Sequence, residues 1–173
     1  MTADDLARMS NAELMATLLG GHAIDPDALA PAYDGTSLGI PHLVEKLTWK
    51  RFRKAFHRDA DGRLRGHNVR IDNARPGWHP LEKRGAPVTF GPFAVVSPAG
   101  YRMPRPADRG LLLDYSDGSS RWNPLSRIRD PLVAVNPGDV TLLLGWTYLD
   151  LGVTQVATPS FFSLSRSPAA DAR

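Results

Sequence analysis

The chain contains no cysteine. That excludes a disulfide framework and a thiolate metal centre, and it fits a reducing compartment. No secretory leader is expected in this stretch either: Asp4 and Asp5 stand where a secretory signal carries positive charge, and Leu14 to Leu19 is too brief and interrupted to be its hydrophobic segment. No apolar window approaches a transmembrane span, so the expected location is the cytoplasm and no membrane partner is expected. Histidine is sparse. His22, His42, His57, His67 and His79 include no pair at i, i+4 and no H-x-H spacing, so a zinc, iron or haem site would need ligands assembled from distant segments. No metal and no cofactor is called for. Low-complexity repeats and Lys/Arg runs of the kind that form a nucleic-acid tail are also lacking.

What is present is 173 residues with 42% hydrophobic content, enough for one domain with a proper core and too little for two. The net charge of +3 is unevenly spread: residues 46–84 hold 12 Lys/Arg against 4 Asp/Glu, and the remainder holds 9 against 14. A basic block of this kind can meet phosphates or other anionic ligands, but a solvated strand face is the simpler reading.

The chain is organised around Thr48 to Asp72. Two arms rich in aromatic, aliphatic and basic residues flank Asp59-Ala60-Asp61-Gly62, and an Asp-Gly step supplies the positive φ of a tight reversal. A β-hairpin is expected. In its second arm His67, Val69 and Ile71 share one face, with Asn68, Arg70 and Asp72 on the other. The first arm also permits a helix, because a wheel from Leu43 to His57 gathers Lys46, Lys50, Arg53, Lys54 and His57 on one stripe. The preferred assignment is a short helix at 41–47 followed by a strand from Thr48.

Upstream, residues 3–19 read as helical, since Ser10-Asn11-Ala12-Glu13 has capping-box spacing and Gly20-Gly21 ends the run. Leu6 and Met9 fit either this helix or a separate first turn, within an N-terminal helical segment at 1–21. Pro26 and Pro31 make the stretch to Ile40 irregular, with a short strand around Tyr33. Downstream, Ala74 to Pro87 is a long loop holding Trp78 and His79. Apolar runs then follow at Val88 to Ser97, Gly110 to Ser116, Ile128 to Val135, Val140 to Leu149 and Ser160 to Ser165, with Pro137-Gly138-Asp139 as a second hairpin turn. Such spacing, with almost no helix between runs, indicates an antiparallel sheet curled into a barrel or sandwich. A closed barrel is favoured because it removes unpaired edges and makes room for a ligand. One domain is expected over 1–166, with a disordered tail at 167–173.

Asp34-Gly35, then Ser37-Leu38-Gly39-Ile40-Pro41-His42-Leu43-Val44-Glu45, then Trp49 followed directly by Lys50-Arg51-Phe52 resemble the Gly-rich entry, short helix and first long strand of the bacterial lipocalin-like (calycin-like) barrels of the GXWXG type. Pro131, Gly145 and Pro159 to Arg166 resemble their closing strands. The resemblance covers about two thirds of the chain and implies a fold: a mainly β protein, a single antiparallel lipocalin-like β-barrel with one or two short N-terminal helices. It further implies a pocket for a small apolar molecule and transfers no catalytic residue.

Three functions are compatible with such a barrel. The leading one is a carrier or sensor of a small hydrophobic molecule, with Trp49, Trp146 and Tyr148 in apolar contact and His67 or Arg70 as polar anchor. It takes Trp146 and Tyr148, on the face they share with Val140, Leu142 and Leu144, as interior lining. The second is a cyclase, isomerase or dehydratase moving protons through His67, Asp114, Tyr115 or Tyr148. The third, ranked last, is nucleic-acid or polyphosphate binding by the basic hairpin, with Trp49 and Phe52 stacking. A homo-oligomer is compatible with each. Asp130, between Arg129 and Pro131, reads most simply as an arginine partner or turn cap. Gly35-Thr36-Ser37-Leu38-Gly39 matches G-x-S-x-G, but its surroundings do not supply the strand and parallel sheet of a nucleophile elbow.

Overall fold

The structure, a computed structural model, describes residues 1–39, 50–117 and 123–168. The expected helix at 41–47, together with Thr48 and Trp49, lies outside the described residues, as does most of the expected tail. Two short helices open the chain, α1 (Ala3–Ala7) and α2 (Asn11–Gly20). They are separate because each has its own capping box, Thr2 with Asp5 and Ser10 with Glu13, which satisfies backbone donors at both starts.

The rest is strand: β1 (Ala32–Leu38), β2 (Arg51–Arg58), β3 (Leu64–Arg70), β4 (Glu82–Lys83), β5 (Ala86–Pro87), β6 (Thr89–Val96), β7 (Leu111–Asp114), β8 (Ile128–Asn136), β9 (Asp139–Asp150) and β10 (Gln155–Arg166). Eight of them close an antiparallel barrel in chain order, from β1 through β2, β3 and β6 to β10, which pairs back onto β1. The short β4–β5 hairpin stands apart between β3 and β6. Gly62 (φ 76°) and Gly138 (φ 71°) take the left-handed conformation at the β2–β3 and β8–β9 turns. The first arm of the central hairpin is a strand, not a helix, so Lys54 and Arg53 point to opposite faces.

Alternation along each strand creates two cores. The inner one contains Tyr33, Phe56, Phe93, Leu113, Leu132, Leu143, Phe162 and Leu164, with Ile24 and Ala30 joining it from the segment before β1. The outer one is made by Leu112, Val133, Leu142, Leu144, Trp146 and Tyr148 against Leu6, Leu14 and Leu18 of the helices. Here α2 lies across β8, β9 and β10. The expectation that the Trp146 and Tyr148 face lines the interior is therefore corrected: that face is outside the barrel and buried under the N-terminal helices. No helix among the described residues is long and apolar enough to cross a membrane.

Candidate functional site

The inward side chains do not fill the barrel evenly. A cavity of about 340 Å³ occupies one end, walled by Phe52, Phe90, Leu125, Ile128, Phe161 and Phe162, with Ser37 and Ser160 also on its lining. Its polar lining converges on Lys54, Asn68, Tyr115, Asp130 and Thr147. Toward the other end Tyr33, Phe56, Phe93, Leu132 and Leu143 pack solidly, so the polar group forms the cavity floor.

Lys54 is the centre of that floor. Its Nζ lies 2.6 Å from the Tyr115 hydroxyl, 3.0 Å from Asn68 Oδ1 and 3.4 Å from Asp130 Oδ2. It also stands 4.9 to 5.4 Å from the ring centroids of Phe162, Phe93, Tyr115 and Phe52. Electron-rich ring faces thus complete the coordination of an ammonium that has left water. Burial pulls the Lys54 pKa below the ordinary lysine value, and the attraction of Asp130 only partly opposes it. Tyr115 donates to Asp130 Oδ2 at 3.1 Å, and Thr147 donates to Asp130 Oδ1 at 2.8 Å. Burial, reinforced by the Asp130 carboxylate, raises the Tyr115 pKa well above that of a free phenol.

Local sequence explains why the box closes. Gly35, Gly66 and Gly145 face inward and pair directly with Phe52, Phe93 and Phe162. A Cβ at each would fall 2.4, 2.4 and 2.1 Å from the partner ring. The missing side chains are the space in which the three rings lie flat enough to surround Lys54. At β6 a register shift at Gly91 (φ 53°) turns its carbonyl to accept from Asn68 Nδ2 at 3.2 Å. That bond leaves the amide oxygen of Asn68 facing Lys54.

Of the residues named from sequence, Tyr115 is at this site. Asp114 is not, because adjacent residues on a strand point to opposite sides. It is buried outside the barrel, where it pairs with Arg129 at 3.2 Å and accepts from the Tyr101 hydroxyl at 2.8 Å. His67 is also outside, half-buried beside exposed His57 with ring centroids 5.9 Å apart. Burial, then the proximity of His57, lowers its pKa. The inward face of β3 is the one that carries Gly66 and Asn68; Arg70 lies beyond them over the Phe90 ring at 5.9 Å. Tyr148 and Trp146 belong to the outer core, with Trp146 Nε1 donating to the Thr158 carbonyl at 2.8 Å. The Gly35–Gly39 motif is part of β1 and its end, with no elbow.

Lys54, Asn68, Asp130 and Thr147 were missed by sequence reasoning. A signal existed for the first: Phe52, Lys54 and Phe56 fall on one strand face, and a cation between two phenylalanines at i−2 and i+2 marks an inward amine. Several arginines of the basic hairpin are meanwhile spent on its own neighbours. Arg51 donates to the Gly77 carbonyl and stacks on Trp78, Arg53 pairs with Asp34, Arg58 with Asp27, and Arg65 with Asp59 and Asp117. No protein-family model matches the chain, and no curated protein or solved structure is significantly similar to it.

Proposed function

We propose that the protein binds a small, mainly apolar molecule in the barrel cavity, as a cytoplasmic carrier or sensor of the lipocalin-like kind. The observation that carries this reading is the cavity itself: about 340 Å³, mainly aromatic and aliphatic on its walls apart from Ser37 and Ser160, with its polar groups concentrated where Lys54, Asn68, Tyr115, Asp130 and Thr147 meet. That combination is what a small-molecule pocket requires, with apolar area for affinity and few convergent polar groups for orientation. An eight-stranded barrel is also the size that holds one small ligand. The guest has an apolar body and one polar end directed at the floor.

Titration with 1-anilinonaphthalene-8-sulfonate, followed by displacement with apolar aldehydes, alcohols and acids, tests the reading. Dye emission rises on binding and falls with competitor. Ile128→Arg, which drives a charged side chain into the cavity, abolishes the signal while the far-ultraviolet circular dichroism is kept. Equal dye binding by Ile128→Arg would put the dye elsewhere and remove the support.

A further inference from the structure

Among the four lysines of the chain, Lys46, Lys50, Lys54 and Lys83, Lys54 differs in kind from the two other described ones. Lys50 and Lys83 are exposed. Lys54 is buried, borders the cavity, and has beside it a phenol and a carboxylate that contact each other. An amine held in an apolar pocket is one of the recognised ways of activating lysine toward carbonyl compounds.

We propose that Lys54 captures an apolar aldehyde or ketone in the barrel as an imine, an inference that rests on the cavity being a binding site. The ammonium passes one proton to Asp130. The freed lone pair forms the C–N bond at the carbonyl carbon, and the C=O π pair moves to oxygen, which takes the Tyr115 proton. The nitrogen returns a proton to the Tyr115 oxygen, leaving a neutral carbinolamine. Asp130 then protonates the hydroxyl, which departs as water while the nitrogen lone pair forms C=N. The products are an iminium ion and one water, so one positive charge is present before and after, and Asp130 ends as the carboxylate it began as. No oxidant or reductant is consumed. The ion pair across the floor is preserved, with the iminium in place of the ammonium.

The full chain is incubated at neutral pH with cinnamaldehyde and cyanoborohydride, which reduces an imine to a stable amine, and modified peptides are mapped. The expected result is one cinnamyl group per chain at Lys54, acquired on the order of ten-fold or more faster than at Lys50 or Lys83, since the cavity holds the aldehyde beside the Lys54 amine. Lys54→Arg keeps the charge and loses this fast label. Cinnamyl alcohol, which cannot form an imine, runs in parallel as a displacer of the anilinonaphthalene dye. Labelling at the exposed lysines with Lys54 unmodified overturns the proposal, and displacement by the alcohol in the same experiment shows that the cavity reading survives it. Absence of both displacement and Lys54 labelling overturns the two together.

Discussion

Lys54 on β2 and Asp130 on β8 meet across the full width of the barrel, Nζ to Oδ2 at 3.4 Å. Their strands stand four apart whichever way the ring of eight is followed. The pair is therefore a strut between opposite walls, and the cavity lies on one side of it with the solid core on the other. Both side chains are almost fully buried. Their attraction must offset the loss of two hydration shells, and the surrounding rings, Asn68, Tyr115 and Thr147 supply what a lone pair would lack.

Breaking the strut from one side should cost far more than replacing it. Lys54→Met leaves a buried carboxylate without its cation, for which about 3–5 kcal/mol is expected. The double variant Lys54→Met/Asp130→Leu should recover most of that loss. Urea unfolding of wild type, both singles and the double gives the coupling energy. Additive losses would mean that the two groups do not interact in solution.

The glycine-seated rings make a second prediction. Gly145→Ala puts a methyl group 2.1 Å from the Phe162 ring, and overpacking of this kind costs about 1–3 kcal/mol. The ring must move off Lys54, so dye affinity should change as well. Gly145→Ala/Phe162→Leu should regain stability, because the smaller side chain vacates the space. No rescue would show that the backbone, not the ring, sets the limit at this position.

On the outer face, Leu18→Ala should lower stability by about 2–5 kcal/mol, the range for emptying a fully buried leucine site. Trp146 shares that core, so its emission should shift to the red. Dye binding in the cavity should be unchanged, since the helix packs on the other side of the sheet. Loss of dye binding in a folded Leu18→Ala protein would show the outer core coupled to the cavity through Phe161, which belongs to that core and also borders the cavity.

All four tyrosines titrate above the ordinary phenol range. Burial is the first cause at each, with Tyr101 and Tyr148 pushed up to about 12 and Tyr33 and Tyr115 also raised. A raised folded-state pKa means that the native protein holds protons the unfolded chain releases above about pH 10. The stabilising contribution is therefore present in full below that pH and is lost as pH rises through the folded values. Near-ultraviolet absorbance at pH 10 should show little tyrosinate in the folded protein and about half ionisation in urea. Equal tyrosinate in the two would place the hydroxyls in water.

His67 acts at the other end of the scale. Its pKa is lowered by burial and by His57, so below about pH 6.5 the unfolded chain binds the proton more readily than the native one. Stability contributed by neutral His67 is present above that pH and falls as pH drops through the folded value. His67→Gln should flatten this part of a plot of urea midpoint against pH; an unaltered slope would assign the acid loss to other groups.

Much of the fold was legible because its signals are local. Asp61-Gly62 and Pro137-Gly138 announce their turns from neighbouring residues alone, and strand alternation from Arg51 onward needs only a period of two. The site was less legible. Leu142, Leu144, Trp146 and Tyr148 look like a cavity lining because they are the most apolar face of β9, yet hydrophobicity reports burial and not the side from which burial comes. The inward face of the same strand, Leu143, Gly145 and Thr147, is smaller and more polar because Phe162 and Asp130 occupy the space before it. The assignment of His67 failed for the same reason on β3.

Alone, the order of residues determined that the chain has no thiol chemistry, that it is mainly antiparallel strand, and where several of those strands turn, since each depends on composition or on contacts a few residues long. Only the closed barrel decided which faces look inward. That choice depends on α2 covering β8 to β10 and on Lys54 meeting a carboxylate 76 positions further along the chain, and no short-range pattern encodes a contact between opposite walls.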